Sequence, residues 1–117
     1  MGQIMLELEE KSLKDVKIFL KVGDAFNFYL IKKYFDTVSN KKIIVAPQYK
    51  DVGLFLIENS LITEDKELEN YINLNELDLF ILANKNEEIY KNKRSNVFYK
   101  PLDLFDIVNK ICNYKKI

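Results

Sequence analysis

The residues that could do chemistry in this sequence, Asp24, Asn84 and Lys100, stand just after apolar runs. Gly23 and Ala83 lie beside them, at the ends of two of these runs. If the runs are parallel strands, these residues gather at one edge of a sheet, and open α/β sheets bind ligands beyond the carboxyl ends of their strands. Only one acid, Asp24, and one base, Lys100, would converge there. The sequence therefore favours binding over catalysis, and we expect that the chain is not an enzyme.

The absence of histidine removes several kinds of catalytic and metal site. Ser–His and Cys–His nucleophiles cannot form, and most transition-metal sites lose their commonest ligand. The three glycines are far apart in the sequence, so there is no glycine-rich phosphate loop. Cys112 is expected to be a buried or half-buried residue of the last helix. We expect neither a cofactor nor a metal.

Composition limits the class of protein and of partner. The chain has 117 residues, of which 48% are hydrophobic and 31% charged, as in one globular domain. Its 18 basic residues balance 18 acidic ones, so an electrostatic attraction to nucleic acid is not expected. No apolar run reaches the roughly 18 residues of a membrane span, and the first residues do not resemble a signal peptide. With a single cysteine as well, the sequence predicts a cytoplasmic protein that binds neither membrane nor nucleic acid.

Hydrophobic patterning predicts strands that alternate with helices. Four strands are indicated, over residues 16–22, 42–46, 78–83 and 97–99. Asp24 is the expected N-cap of a helix that runs to about Val38, and Asp103 that of the last helix. Such alternation favours parallel βαβ units. The predicted fold is therefore an α/β open three-layer sandwich with a mostly parallel sheet of four or five strands.

Three other segments are less defined. Residues 49–60 fit either a helix or a buried strand over 54–57, because a short apolar run has no clear period. Thr63 is the expected cap of a charged helix after them, and two helical turns are expected around residues 87–91. Residues 1–15 are assigned to an N-terminal extension or linker, and residues 16–117 to the α/β domain.

The C-terminal third resembles the end of a bacterial response-regulator receiver domain. The segment VFYKPLDLFDIVNKI combines a strand, Lys-Pro and an acid-capped amphipathic helix. The earlier segments DLFILA and KIFLKVGD resemble an interior strand and the first strand of that family. The resemblance implies two acidic residues after the first strand that hold Mg²⁺, and an Asp at the end of the third strand that accepts a phosphoryl group. A Ser or Thr after the fourth strand and the Lys of Lys-Pro would then contact the phosphoryl oxygens.

This sequence departs from the receiver pattern at several of these positions. Gly23 and Asp24 supply at most one carboxylate where the family has an acidic pair. Ala83 stands in place of the Ser or Thr if DLFILA is the fourth strand, and in place of the phosphoacceptor if it is the third. Val97 occupies the place of an aromatic residue. The departures imply a degenerate receiver, or pseudo-receiver, that works as a non-catalytic regulatory module of bacterial signalling.

Glu58 has two interpretations that depend on the middle segment. If residues 54–57 are the third strand, Glu58 falls where the resemblance places the phosphoacceptor. A carboxylate there could pair with Lys100 and imitate a permanently charged state. If the segment is a helix, Glu58 is a solvated helix residue. Lys100 and Pro101 likewise fit either a retained receiver loop or a simple strand exit before a helix.

The resemblance also suggests a surface for protein contacts. Related receivers often pair through the face made by the last two strands and the last helix. The expected interface residues are Tyr99, Leu102, Phe105 and Tyr114. The partner would be another protein or a second copy of the chain. An alternative function is a small-molecule sensor that binds its ligand at the carboxyl ends of the strands.

Overall fold

The structure is a computed structural model that describes residues 15–38, 43–92 and 94–113. The strands in these ranges are β1 (Val16–Lys21), β2 (Ile43–Val45), β3 (Leu54–Glu58), β4 (Asp78–Ala83) and β5 (Ser95–Tyr99). The helices are α1 (Ala25–Val38), α2 (Asn59–Glu64), α3 (Lys66–Leu74) and α4 (Leu104–Cys112). No helix in these ranges is both long and apolar enough to cross a membrane.

All five strands are parallel and form one sheet in the order β2-β1-β3-β4-β5. This is the order of flavodoxin-like doubly wound sheets, in which the direction of winding reverses between β1 and β3. The predicted α/β open sandwich is confirmed, with five strands rather than four. The reversal matters for function, because ligands of such sheets bind where it occurs.

The core lies on both faces of the sheet, since successive side chains of a strand point to opposite faces. Leu54 and Leu56 of β3 pack on one face beneath α1 and α4, and Phe55 and Ile57 pack on the other with residues of α2 and α3. All four are almost completely buried. Burial on both faces explains why this segment is apolar throughout, as central parallel strands usually are.

The structure resolves the ambiguity of the middle segment in favour of a strand. Residues 54–58 form β3, and Glu58 is its last residue, so the interpretation of residues 49–60 as a helix is wrong. Residues 46–53 form turns and bends instead. Within them the ring of Tyr49 lies 5.7 Å from that of Phe19 and 4.8 Å from that of Tyr71, so this loop covers part of the sheet.

Two local predictions are wrong and two caps are confirmed. The charged helix is α3, and its N-cap is Asp65, whose carboxylate accepts a hydrogen bond from the amide of Leu68. Thr63, the predicted cap, lies inside α2. Residues 87–91 are not helical: the amide of Glu87 closes a turn on the carbonyl oxygen of Asn84, and residues 88–91 have no regular structure. Asp24 and Asp103 cap α1 and α4 as predicted. Nearly all of the predicted extension, residues 1–14, lies outside the described ranges.

Candidate functional site

Glu58 connects the ends of three strands at the carboxyl edge of the sheet. Its Oε1 atom accepts a hydrogen bond of 2.8 Å from the amide of Gly23, two residues after the end of β1. Its Oε2 atom accepts one of 3.4 Å from Nζ of Lys100, directly after β5. The side chain of Glu58 is 18% exposed and that of Lys100 39% exposed, so the ion pair is partly sheltered from water. The pair stands at the β1–β3 reversal of the sheet.

The order of the strands explains why Glu58 contacts both Gly23 and Lys100. β3 is the central strand and β1 is its neighbour, so the ends of these two strands lie side by side. β5 is two strands away, and the amide of Lys100 extends its ladder by donating to the carbonyl oxygen of Ala83 over 2.8 Å. A lysine side chain is long and flexible enough to cross the end of β4 and reach Glu58. The Lys100–Pro101 peptide bond is cis.

Asp24 is not brought to Lys100. Its Oδ1 atom accepts a hydrogen bond of 2.8 Å from the amide of Phe26 and caps α1. The resemblance to receivers implies paired carboxylates for Mg²⁺ at this place, and the residues do not fit that group, because Gly23 has no side chain and Asp24 serves the helix. In the part of the chain that the structure describes, no three or more potential metal-ligating side chains cluster.

Ala83 ends β4 and Asn84 follows it, beside the carboxylate of Glu87, which no motif of the sequence singles out. Ala83 is fully buried. The backbone and side-chain amides of Asn84 both donate to Oε1 of Glu87, over 3.0 and 2.8 Å. The hydrogen bond from Asn59, then those from Asn84 and the charge of Lys100, lower the pKa of Glu87 below its ordinary value. Glu87 therefore remains charged near Lys100, as a second acid at this edge.

Asn59 joins β3 to the connection between β4 and β5. It is only 8% exposed. Its Nδ2 atom donates to Oε2 of Glu87 over 2.8 Å and to the carbonyl oxygen of Glu88 over 2.9 Å, and its Oδ1 atom accepts the amide of Tyr90 over 2.8 Å. A polar residue that follows an apolar strand indicates a side chain that can hydrogen-bond to a neighbouring loop. The sequence does not identify the loop that Asn59 contacts.

A cleft of about 330 Å³ opens beside the ion pair, between α1 and the segment that follows β5. Most of its lining is apolar, and the polar residues are Asn27, Glu58 and Lys100. The apolar residues are Val22, Leu30, Ile31, Leu82, Pro101, Leu102 and Leu104. The structure thus places an apolar space and two opposite charges at the carboxyl edge of the sheet.

The residues predicted to form an interface differ in accessibility. Tyr99 and Phe105 are exposed, and Leu102 is half-buried against the core under α1 and α4. Tyr114 lies outside the described residues. Leu74, at the end of α3 and outside the predicted interface, is also exposed. Exposure alone does not single out the predicted surface.

No protein-family model matches this chain, and neither curated proteins nor solved structures give a significant match.

Proposed function

We propose that the chain is a non-catalytic regulatory module of receiver type, which works through protein contacts in a bacterial signalling pathway. The observation that carries the proposal is the ion pair of Glu58 with Lys100. By the resemblance, the last residue of the third strand would accept the phosphoryl group and the Lys of Lys-Pro would contact it. In this chain a glutamate at that place already pairs with that lysine.

The environment of Glu58 supports a fixed charge rather than a nucleophile. One carboxylate oxygen accepts the amide of Gly23 and the other accepts the ammonium of Lys100. Hydrogen bonds to the charged form of a carboxylate stabilise that form and draw electron density from its oxygens, which lowers their nucleophilicity. We expect the pair to hold the carboxyl edge in one state without phosphorylation.

Two neighbouring residues favour the same conclusion. Ala83 has no hydroxyl where the resemblance implies a Ser or Thr. Asp24 has its carboxylate engaged at the start of α1. Phosphoryl transfer depends on cations and hydrogen-bond donors that neutralise the transferred group. Of the receiver positions, Lys100 alone keeps such a role, and its charge is already compensated by Glu58.

A phosphodonor experiment tests the absence of phosphotransfer. The protein is incubated with acetyl phosphate and Mg²⁺, and its intact mass is measured. We expect no added phosphoryl group. A stoichiometric adduct that hydroxylamine removes, as it removes acyl phosphates, would refute the proposal.

A matched pair of variants tests the contact surface. We expect the partner, another protein or a second copy, to bind the surface formed by β5 and α4, where Tyr99 and Phe105 are exposed. Phe105→Ser removes an exposed apolar side chain from that surface, and Leu74→Ser removes one from the end of α3. Crosslinking in cells and sedimentation at increasing concentration should show a partner that Phe105→Ser loses and Leu74→Ser keeps. Equal behaviour of the two variants would contradict the assigned surface.

A further inference from the structure

We infer that the cleft beside Glu58 and Lys100 binds a free α-amino acid with an apolar side chain. The volume of the cleft, about 330 Å³, lies at the lower end of the roughly 300–1,000 Å³ of small-molecule sites. The cleft also opens at the β1–β3 reversal, where doubly wound sheets bind their ligands. Its size and place therefore fit one small molecule.

The lining of the cleft favours a ligand with an apolar portion. Leu30 and Ile31 of α1 form one side, and Leu102 and Leu104 line it from the segment after β5. Leu82 of β4 also belongs to the lining. A branched aliphatic group placed here leaves water, and each methylene that is buried strengthens binding roughly fourfold. An entirely polar ligand would make no use of these surfaces.

The charged residues of the lining favour a ligand that carries both a positive and a negative group. Nζ of Lys100 and Oε2 of Glu58 are 3.4 Å apart, and both residues line the cleft. A lone carboxylate bound to Lys100 would be repelled by Glu58, and a lone amine bound to Glu58 would be repelled by Lys100. An α-amino acid carries its ammonium and carboxylate on one carbon, at a separation similar to that of the pair. Of these three kinds of ligand, only the amino acid gives each side chain a group of opposite charge.

The ion pair does not have to break for this ligand. Lys100 has three N–H donors and each carboxylate oxygen of Glu58 has two lone pairs, so Lys100 can donate, and Glu58 can accept, a further hydrogen bond. Asn27 also lines the cleft, and its side-chain amide can donate a hydrogen bond to the ligand or accept one from it. Glu87, the second acid near Lys100, does not belong to the lining. The inference is independent of the proposed protein partner, because it rests on the cleft and its ion pair and on no contact with another protein.

Amide NMR spectra of the full chain, titrated with L-leucine, test the inference. We expect saturable shifts at Leu30, Leu82 and Leu102. Isocaproate lacks the ammonium and isoamylamine lacks the carboxylate, and each should bind at least about tenfold more weakly, since a hydrogen bond to a charged group is worth about that factor. Free glycine should be weaker still. The inference fails if no saturable shift occurs, or if either analogue binds as well as leucine.

Two variants and a control separate the cleft from other binding. Leu30→Asn removes an apolar wall and should weaken leucine binding about tenfold, whereas Leu74→Asn, outside the cleft, should leave it unchanged. Glu58→Gln keeps an acceptor for Gly23 but loses its charge, so the preference for leucine over isocaproate should shrink. Unchanged binding by Leu30→Asn, or an unchanged preference in Glu58→Gln, would overturn the inference.

Discussion

Oε2 of Glu58 lies 3.4 Å from Nζ of Lys100, although the two residues are 42 positions apart in the chain. The first ends the central strand of a parallel sheet and the second follows an edge strand. Parallel strands place all their carboxyl ends at one edge, so groups distant in sequence meet there. This one contact links the fold to the proposed regulatory state and to the ligand proposed for the cleft.

The Glu58–Lys100 pair should contribute measurably but modestly to stability. In a double-mutant cycle with Glu58→Gln and Lys100→Met, we expect a coupling energy of about 0.5–1 kcal/mol, as for ion pairs that water still reaches. Urea unfolding measures it. The exposed pair of Lys66 with Glu69 is the control and should give less. A coupling energy of zero for Glu58 and Lys100 would mean that the contact does not hold the edge together.

Asn59→Ala should destabilise the protein more than any single change at the exposed surface. The substitution removes the acceptor of the amide of Tyr90 and two donors, to Glu87 and to the carbonyl of Glu88. Polar groups left without partners cost roughly 1–3 kcal/mol each when buried, so we expect a loss of about 2–3 kcal/mol in urea unfolding. Ser60→Ala, at the exposed neighbouring position, should change stability little. Equal effects would show that Asn59 does not fasten the loop.

Glu87 should make stability depend on pH in the acidic range. The pKa of Glu87 is lowered from its ordinary value of 4.5, first by the hydrogen bond from Asn59. The unfolded state therefore binds more protons than the folded state in this range, so stability rises with pH. The contribution is present above pH 4.5 and is lost as the pH falls through the lower folded pKa.

Urea midpoints measured between about pH 3 and 6 test this, since that window spans the titration of a glutamate. Glu87→Gln should flatten the curve relative to the unchanged protein, and Asn59→Ala should flatten it in part. A curve of the same slope in Glu87→Gln would exclude Glu87 as a source of the dependence.

Asp24 and Asp103 should behave as helix caps and not as site carboxylates. Each accepts an amide of the first turn of its helix, that of Phe26 for α1 and that of Asp106 for α4. Replacement by Ala should cost about 1 kcal/mol in urea unfolding, while Asn, itself a good cap, should cost little. If Asp24→Asn instead abolished binding of leucine or of the partner at full stability, Asp24 would have a role in the site.

Local sequence patterns predicted most of the elements. The continuous apolar run of β4 and the Asp caps of α1 and α4 each reflect interactions within a few residues, so they were readable without tertiary information. The segment of β3 was not, because burial on both faces removes the alternation that distinguishes a strand. The sequence predicts two helical turns in the connection from β4 to β5. In the structure, side-chain hydrogen bonds from Asn59 and Asn84 hold this connection as a turn followed by irregular backbone.

The sequence by itself determined the α/β class, the two caps and the residue types that the carboxyl edge can offer. It named Glu58, Asp24 and Lys100 as candidates. Only the tertiary structure decided that Glu58 and not Asp24 pairs with Lys100, that Asn59 and Glu87 join the same edge, and that an apolar cleft lies beside them. These contacts depend on strand order and register. Order and register in turn arise from packing between segments that are distant in the sequence, and no local pattern encodes such packing.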